Sequence, residues 1–367
     1  MSRIGGRLRR LRQTRRVTTY THLVGSVSQP DAESTFRVAS EQLEHVRRIP
    51  DGEVGKRYYW IQFQNLLFET VDGLERIGEP GYYLRGEFDT RPITLAEGVA
   101  ADDIDFGALG YADAAIESYA TFVRLREEGV IPEGVRFQVS LPTPAGVVGS
   151  FFELSLRAAI EPVYERAVFR ELATILDAVP HDDLAIQWDT ALEFGLLDKA
   201  EIFGHKMLAW FGESHADILA GVLERGIRQA AAVPVGVELG YHLCYGDVEE
   251  AHFFEPADAT TLAEVAAGLV AGAPRPITWI HLPVPIERDD EAYFAPLGEV
   301  TWPETTELYL GLVHHEDGVE GALRRAAAAA PFVSGFGIAT ECGFGRGPVE
   351  RTAPLLALHR EVAAALG

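Results

Sequence analysis

The sequence predicts an α/β protein built as one eight-stranded (β/α)8 TIM barrel with loop insertions. Three observations carry the prediction. A β/α alternation runs along nearly the whole chain, eight short apolar runs end in polar or Gly/Pro residues, and chemically capable side chains gather just after those runs. The 367 residues exceed the roughly 250 such a barrel needs, and 47% hydrophobic with 24% charged residues is the balance of a chain that folds around a core.

The elements follow in order. Residues 1–16 hold Arg3, Arg7, Arg9, Arg10, Arg12, Arg15 and Arg16 with no acid, and are expected to be a disordered leader; residues 17–367 are expected to form the single catalytic barrel. The first apolar run is Val17 to Val27, and a helix over about 31–47 follows, entered through Pro30 with an acidic first turn. The second run, Arg48 to Glu53, leads into a helix carrying Tyr59, Phe63, Leu66 and Leu67. Residues 78–105, rich in Gly, Pro and aromatics, break the alternation and predict an insertion over one barrel end with a small hairpin. A helix near 112–128 precedes the third strand, 135–141, which Pro142 and Pro144 stop. Next come a long helix over 153–178, the fourth strand 183–189, and a helix over 213–231. The fifth strand 235–243 leads to a helix over 260–269. Strands at 277–282, 307–313 and 333–339 and a closing helix over 349–364 complete the count. An open dinucleotide-binding sheet is disfavoured: the glycines of GFGRG at 343–347 lack the helix-opening third glycine and the later ribose acid.

Charge and composition exclude whole classes of function. A formal net charge of -23 repels phosphate backbones, so no nucleic-acid partner is expected, although the basic leader would also suit a targeting presequence or a contact for polyanions. No apolar run approaches a bilayer span, so no membrane partner is expected. Two cysteines make no disulfide scaffold, and the leader has no apolar core for secretion, so a reducing, cytoplasmic setting is expected.

Barrel enzymes work at the C-terminal ends of their strands. The residues there are His22 and Ser26, Asp51 and Glu53, Asp189, then His242, Cys244 and Asp247, His281, His314 and His315, and finally Glu341 and Cys342. His242 and Cys244 are two apart in an extended segment, so their side chains point the same way, and barrel closure brings Cys342 toward them. Two thiolates with one imidazole suit zinc and leave a position for substrate. Two other readings of these residues stand beside that one: buried small hydrophobes with a rim histidine, or a Cys244–Cys342 disulfide, which the compartment disfavours. His281 is expected as a fourth ligand or as support for the ligands. Asp189 and Glu53 suit a substrate amine or a general base, or else accept bonds from loop amides. Of His314 and His315, adjacent in sequence, one at most should enter the mouth as a general acid; the other reading is an exposed loop pair.

The motifs VGSVSQP (Val24 to Pro30), IPDGEVGKR (Ile49 to Arg57), AIQWD (Ala185 to Asp189), GYHLCYGD (Gly240 to Asp247) and TECGFGR (Thr340 to Arg346) resemble, in order, the C-terminal catalytic barrel of the cobalamin-independent methionine synthase family. The chain is similar to a short, core-type relative. That resemblance implies zinc on His242, Cys244 and Cys342, with Ser26, Glu53 and Asp189 at the amino and carboxylate ends of homocysteine. It also implies that one of His314 and His315 stands near the family's active-site histidine. The implied activity is zinc-dependent transfer of an alkyl group, methyl first, from an alkyl donor to a small thiol such as homocysteine.

Three departures narrow the implication. The family's fourth ligand is a glutamate after strand six, where this chain has His281; the family's second, N-terminal barrel has no room here; and the 78–105 insertion has no counterpart. Short relatives use other methyl donors or open epoxides with a thiol, so thiol alkylation carries over better than a folate donor does. Two other classes remain at this stage. One is a metal-free decarboxylase or lyase on a related barrel, although no basic cluster suits a multiply carboxylated tetrapyrrole. The other is a non-catalytic barrel that binds a small metabolite.

Overall fold

A computed structural model describes residues 19–81, 83–202, 205–247, 252 and 254–367. The expected leader, residues 1–16, lies outside them. Seven parallel strands form one sheet in chain order: β1 (Arg48–Pro50), β2 (Arg136–Pro142), β3 (Leu184–Thr190), β4 (Glu238–Leu243), β5 (Trp279–Pro283), β6 (Glu307–Val313) and β7 (Gly337–Thr340). Each neighbouring pair is parallel, which requires a crossover between strands. The helices α1 (Ala32–Gln42), α2 (Tyr111–Glu127), α3 (Pro144–Phe151), α4 (Leu154–Ala178), α5 (His215–Ala232), α6 (Thr260–Gly272), α7 (Gly318–Ala329) and α8 (Val349–Leu366) supply much of those crossovers.

Strand alternation separates two interiors. One set of side chains, including Phe137, Leu141, Ile186, Leu239, Ile280, Leu310 and Leu312, packs into the large apolar cluster shared with the helices. The other set faces inward and is mostly polar or aromatic: Gln138, Gln187, Asp189, His242, His281 and Tyr309 are all buried. Ala185, Trp279 and Tyr309 form a separate small cluster there, against Tyr20.

Seven of the eight expected strands form regular ladders, and the first does not. Residues 19–27 run extended between the sheet's two edges, touching them only through isolated parallel bridges, Thr21 with Val46 and Ile338 and Ser26 with Gly52. The physical reason lies inside the sheet. Leu23 and Val24 spend their carbonyls on side chains from within: Gln138 Nε2 donates to both, at 3.0 and 3.2 Å, and Gln187 Nε2 also donates to Val24. A carbonyl committed inward is not offered to a neighbouring strand.

Other differences are local. The helix expected over 31–47 stops at Gln42, and His45 then uses its carbonyl to accept from Thr21 N at 2.9 Å. The helix expected through Tyr59 is two 3-10 turns, Gly55–Arg57 and Trp60–Gln62, followed by a short helix, Phe63–Phe68. Pro144 not only ends a strand but begins α3, with Thr143 as N-cap accepting from Gly146 N at 2.9 Å. The expected insertion starts slightly earlier, as two small antiparallel ladders: Leu74–Arg76 with Ile93–Leu95, and Tyr83–Leu84 with Phe88–Asp89. Among the described residues no helix is long and apolar enough to cross a membrane.

Candidate metal and substrate site

The mouth lies at the C-terminal ends of the strands. The register sets His242 of β4 level with Asp189 of β3 and His281 of β5, and Cys244 follows just beyond β4, its N–H donating to Thr190 O at 2.9 Å. Cys342 arrives from the loop after β7. Ligand atoms of His242, Cys244 and Cys342 all lie within 4.8 Å of one another. The two sulfurs are 3.8 Å apart and Cys342 Sγ is 3.7 Å from His242 Nε2. A tetrahedron around zinc with bonds of about 2.3 Å has edges of about 3.8 Å, so the donor set fits that ion in type and spacing. Both cysteines are free thiols, and the sulfur separation is far beyond the roughly 2.05 Å of a disulfide. The neighbouring Cys342 sulfur, then burial, hold the Cys244 thiol well above its ordinary range, a penalty that a cation between the sulfurs would reverse.

His281 stands behind His242 and not among that close group. Its Nε2 lies 3.0 Å from the carbonyl of Thr340, and a carbonyl only accepts, so Nε2 carries the proton. Its Nδ1 is then an acceptor, 2.7 Å from His242 Nδ1, which must donate. That leaves His242 Nε2 as a bare lone pair, and Nε2 is the nitrogen beside Cys342. Burial supports two neutral rings: it lowers His242 well below the usual histidine range and His281 to about 3.

Two acids two residues apart behave oppositely. Asp51 accepts from Arg57, from Ser118 at 2.8 Å and from Glu53 N at 2.9 Å; despite burial, Arg57 beside it holds its carboxyl below the ordinary range. That turn, with Gly52 at φ 84°, aims Glu53 into the mouth. Glu53 itself takes a left-handed φ of 51°, and Trp60 one of 46°, conformations that cost non-glycine residues energy. Burial pushes Glu53 up to about 7, with Asp51 adding to it and Arg57 and Arg346 opposing. Burial and then Glu53 raise Asp189 well above the carboxylate range, although Gln187 Nε2 donates to it at 2.8 Å and Trp60 donates as well.

These groups share one cavity of about 440 Å³, whose walls include Ser26, Glu53, Trp60, Asp189, Arg346 and the His242–Cys244–Cys342 group. Two motifs far apart in sequence close its rim. Ser26 Oγ accepts from Gly345 N at 3.2 Å, and a Cβ placed on Gly343 would meet that Oγ at 2.3 Å. Gly25 likewise leaves room for Glu53, whose Oε1 would lie 2.4 Å from a Cβ there. His22 sits deeper, its Nε2 bonded to Gln187 Oε1 at 3.0 Å.

A second cavity, about 700 Å³, adjoins the first through Asp247, Cys342, Gly343 and Arg346. His314 and His315 both line it but differ in setting. His314 is nearly buried; its Nε2 is 2.8 Å from Val284 O, so Nε2 carries the proton, and its Nδ1 is 4.0 Å from Glu341. His315 is 42% exposed and pairs with Arg351 at 3.0 Å and Glu316 at 3.1 Å. Glu341 also meets His252 Nε2 at 2.9 Å; against the effect of burial, Glu341 and Glu255 raise His252 to about 9. Trp60, Gln187, His252 and Arg346 were not foreseen as site residues. Arg346 and Gln187 at least lie within the TECGFGR and AIQWD motifs, whereas nothing local marks Trp60 or His252.

No family model and no curated protein matches the chain. Solved structures share its fold. A B12-independent methionine synthase from Shewanella sp. W3-18-1, in complex with selenomethionine, superposes with a TM-score of 0.56 over 95% of this chain and 98% of that one, at 14% identity. A methyltransferase from Methanosarcina mazei gives 0.52 over 94% of each chain, also at 14% identity. The fold is therefore like that of these methionine synthase and methyltransferase structures.

Proposed function

We propose that this chain is an enzyme that transfers an alkyl group, methyl first, to the sulfur of a small thiol such as homocysteine, using zinc held by His242, Cys244 and Cys342. The observation that carries the reading is the meeting of those three donor atoms, within 4.8 Å, with two poorly compensated acids in one cavity. Zinc bound there supplies a Lewis acid that keeps a thiol deprotonated at neutral pH. His281 fixes which nitrogen His242 presents. Glu53 and Asp189 offer negative charge to a substrate ammonium, which would offset the burial that raises both carboxyls. Ser26 stands at the rim beside them. The thiolate sulfur forms the new bond to the alkyl carbon while the donor leaves with the old bonding pair. The leaving group takes its proton from solvent in the adjoining cavity, which His314 lines with its Nε2 proton committed to Val284 O. Cys342 lines both cavities, so acceptor and donor would meet at its side. Two free thiols at the centre suit the cytoplasmic setting expected from composition.

The test is metal analysis of protein purified without added zinc, beside the Cys342→Ser variant. Wild type should retain close to one zinc per chain and alkylate homocysteine from a methyl-donor panel, and the variant should lose both. Thiol alkylation that persists in a zinc-free variant would sink the reading and favour metal-free chemistry on the same barrel.

A further inference from the structure

The small insertion has no part in the reaction above, yet it grips a segment that borders the cavity. Leu84 and Phe88 of its hairpin pack on Tyr59 as a separate apolar cluster, with Tyr58 against it. The Phe88 ring lies 6.1 Å from that of Tyr59 and 6.3 Å from that of Tyr58, and Tyr58 Oη donates to Glu87 at 3.1 Å. Arg85 of the hairpin and Arg346 of the mouth each stand 5.3 Å from the centre of the Tyr59 ring. The base of the insertion is tied down too: Arg76 Nη2 donates to Asn65 O at 3.2 Å, and Glu153 N to Ile93 O at 3.0 Å. Directly after this clamped tyrosine pair comes Trp60, with its left-handed φ of 46°. A bulky residue keeps that conformation where its surroundings over-determine it. The indole spans from β3 to α3: it donates to Asp189, and its Cη2 lies 3.9 Å from where a Cβ on Gly146 would stand.

We propose that Trp60, held by the insertion, is a specificity-determining wall that admits only small molecules to the sulfurs. As far as it concerns the acceptor, this deepens the proposed function and rests on it: small thiols enter, and thiols the size of the tripeptide glutathione do not. Three observations converge. Trp60 borders the cavity together with Asp189 and Cys244, whereas no described residue of the hairpin does, so the insertion acts there through the residues it grips. Tyr59, Leu84 and Phe88 are all buried in a cluster of their own, which fixes the segment before Trp60 without drawing on the main core. The indole is held at both ends, by a hydrogen bond at Asp189 and by packing at Gly146, which makes it a fixed wall.

The experiment reads access at Cys244, which lines this cavity and not the adjoining one. The metal-free full chain is labelled with iodoacetamide or with an iodoacetamide carrying a naphthalene group, and the Cys244 peptide is followed by mass spectrometry. Both reagents form the same carbon–sulfur bond with loss of iodide, so the ratio of their rates cancels the reactivity of the thiol and leaves size. Wild type should favour the small reagent. Trp60→Ala and Phe88→Ala should each move the ratio toward the large reagent by roughly tenfold, and Trp60→Phe, which keeps a wall, by roughly threefold or less. Near-ultraviolet circular dichroism reports on the fold of each variant. In cobalt-substituted protein, the sulfur-to-cobalt charge-transfer band should show wild type binding homocysteine and not glutathione, and the two opened variants binding both. A wild-type labelling ratio in either opened variant would overturn the proposal. So would an equal gain for both reagents, which is what mere loosening produces. Wild type that binds glutathione as well as homocysteine would overturn it too, while leaving the thiol-alkylation reading intact. Wild type that binds neither thiol would sink that reading, with the labelling ratios still deciding the role of Trp60.

Discussion

The two ends of the seven-stranded sheet both bury charge, and they treat it differently. At the floor, Arg48 opens β1 with its side chain 1% exposed, and two of its nitrogens meet Glu238 at the start of β4 and Glu307 at the start of β6. Arg136 and Arg47 add to the same two carboxylates, Tyr309 donates to Glu307 at 2.9 Å, and the guanidinium lies 4.1 Å over the Trp279 ring. At the mouth, burial raises the proton affinity of Glu53 and Asp189, Glu53 adds to it at Asp189, and two thiols sit side by side. Compensated charge holds strand ends together, whereas uncompensated charge stores free energy that a ligand can release. The same elements thus carry a structural end and a reactive one.

The sharpest way to break that contrast is Arg48→Leu. Removing one partner of a buried ion pair leaves the other charges uncompensated, so stability should fall by on the order of 3 kcal/mol, with Glu238 and Glu307 partly relieved by their contact with water. Urea unfolding should show an earlier midpoint with an unchanged slope. The folded variant should still bind zinc and thiol like wild type. Loss of metal from folded Arg48→Leu protein would mean that the two ends are not separable.

Much of this was legible in the sequence, and what was not has a physical cause. Alternation with a period of two located seven regular strands, because a strand covered by helices must be apolar on that face. The first segment was legible as extended but not as irregular, since its carbonyls are taken by Gln138 and Gln187 from strands more than a hundred residues away. His242 and Cys244 shared a face by spacing alone. That Cys342 joins them depends on curvature of the whole sheet, which no local pattern encodes. His281 was expected either as a ligand or behind one. The choice turns on a carbonyl at Thr340 and on cross-strand register, neither of which is a property of the residues around His281. Arg346 lay inside a recognised motif, but that its Nε would be unmet is visible only once the cavity exists.

The role given to His281 sharpens the mouth's side of the comparison. In His281→Ala the hydrogen bond that holds the proton on His242 Nδ1 is gone, and zinc affinity should fall by roughly tenfold to a hundredfold, measured by competition with a chelator. His281→Gln should recover part of it, because its amide can accept from His242 while donating to Thr340. Wild-type affinity in His281→Ala would show that the ring merely fills space.

The smallest expected effect separates the two acids of the Asp51–Glu53 turn. Glu53 is raised from an ordinary 4.5 to about 7 in the folded, metal-free protein. Between those pH values the folded chain binds more protons at this site than the unfolded chain does, so raising the pH favours unfolding. The stabilising contribution is complete below about 4.5 and is lost as pH rises through about 7. Asp51, held low by Arg57, works with the opposite sign: its contribution is present above the ordinary aspartate range and is lost as pH falls through its depressed value. Glu53→Gln should therefore flatten the decline in stability between pH 4.5 and 7 by on the order of 1 kcal/mol, less than the full shift implies because the side chain is partly exposed. Asp189 will absorb some of the change, since it ionises more readily once its neighbour carries no charge. Thermal unfolding of metal-free wild type and variant across that range measures the slope directly. An amino-acid thiol added to wild type should produce the same flattening, because an ammonium between the two carboxylates returns Glu53 to its charged form. Identical slopes in wild type and Glu53→Gln would mean that Glu53 is as well compensated as the charges on the floor, and the contrast between the two ends would then rest on the sulfurs and Asp189 alone.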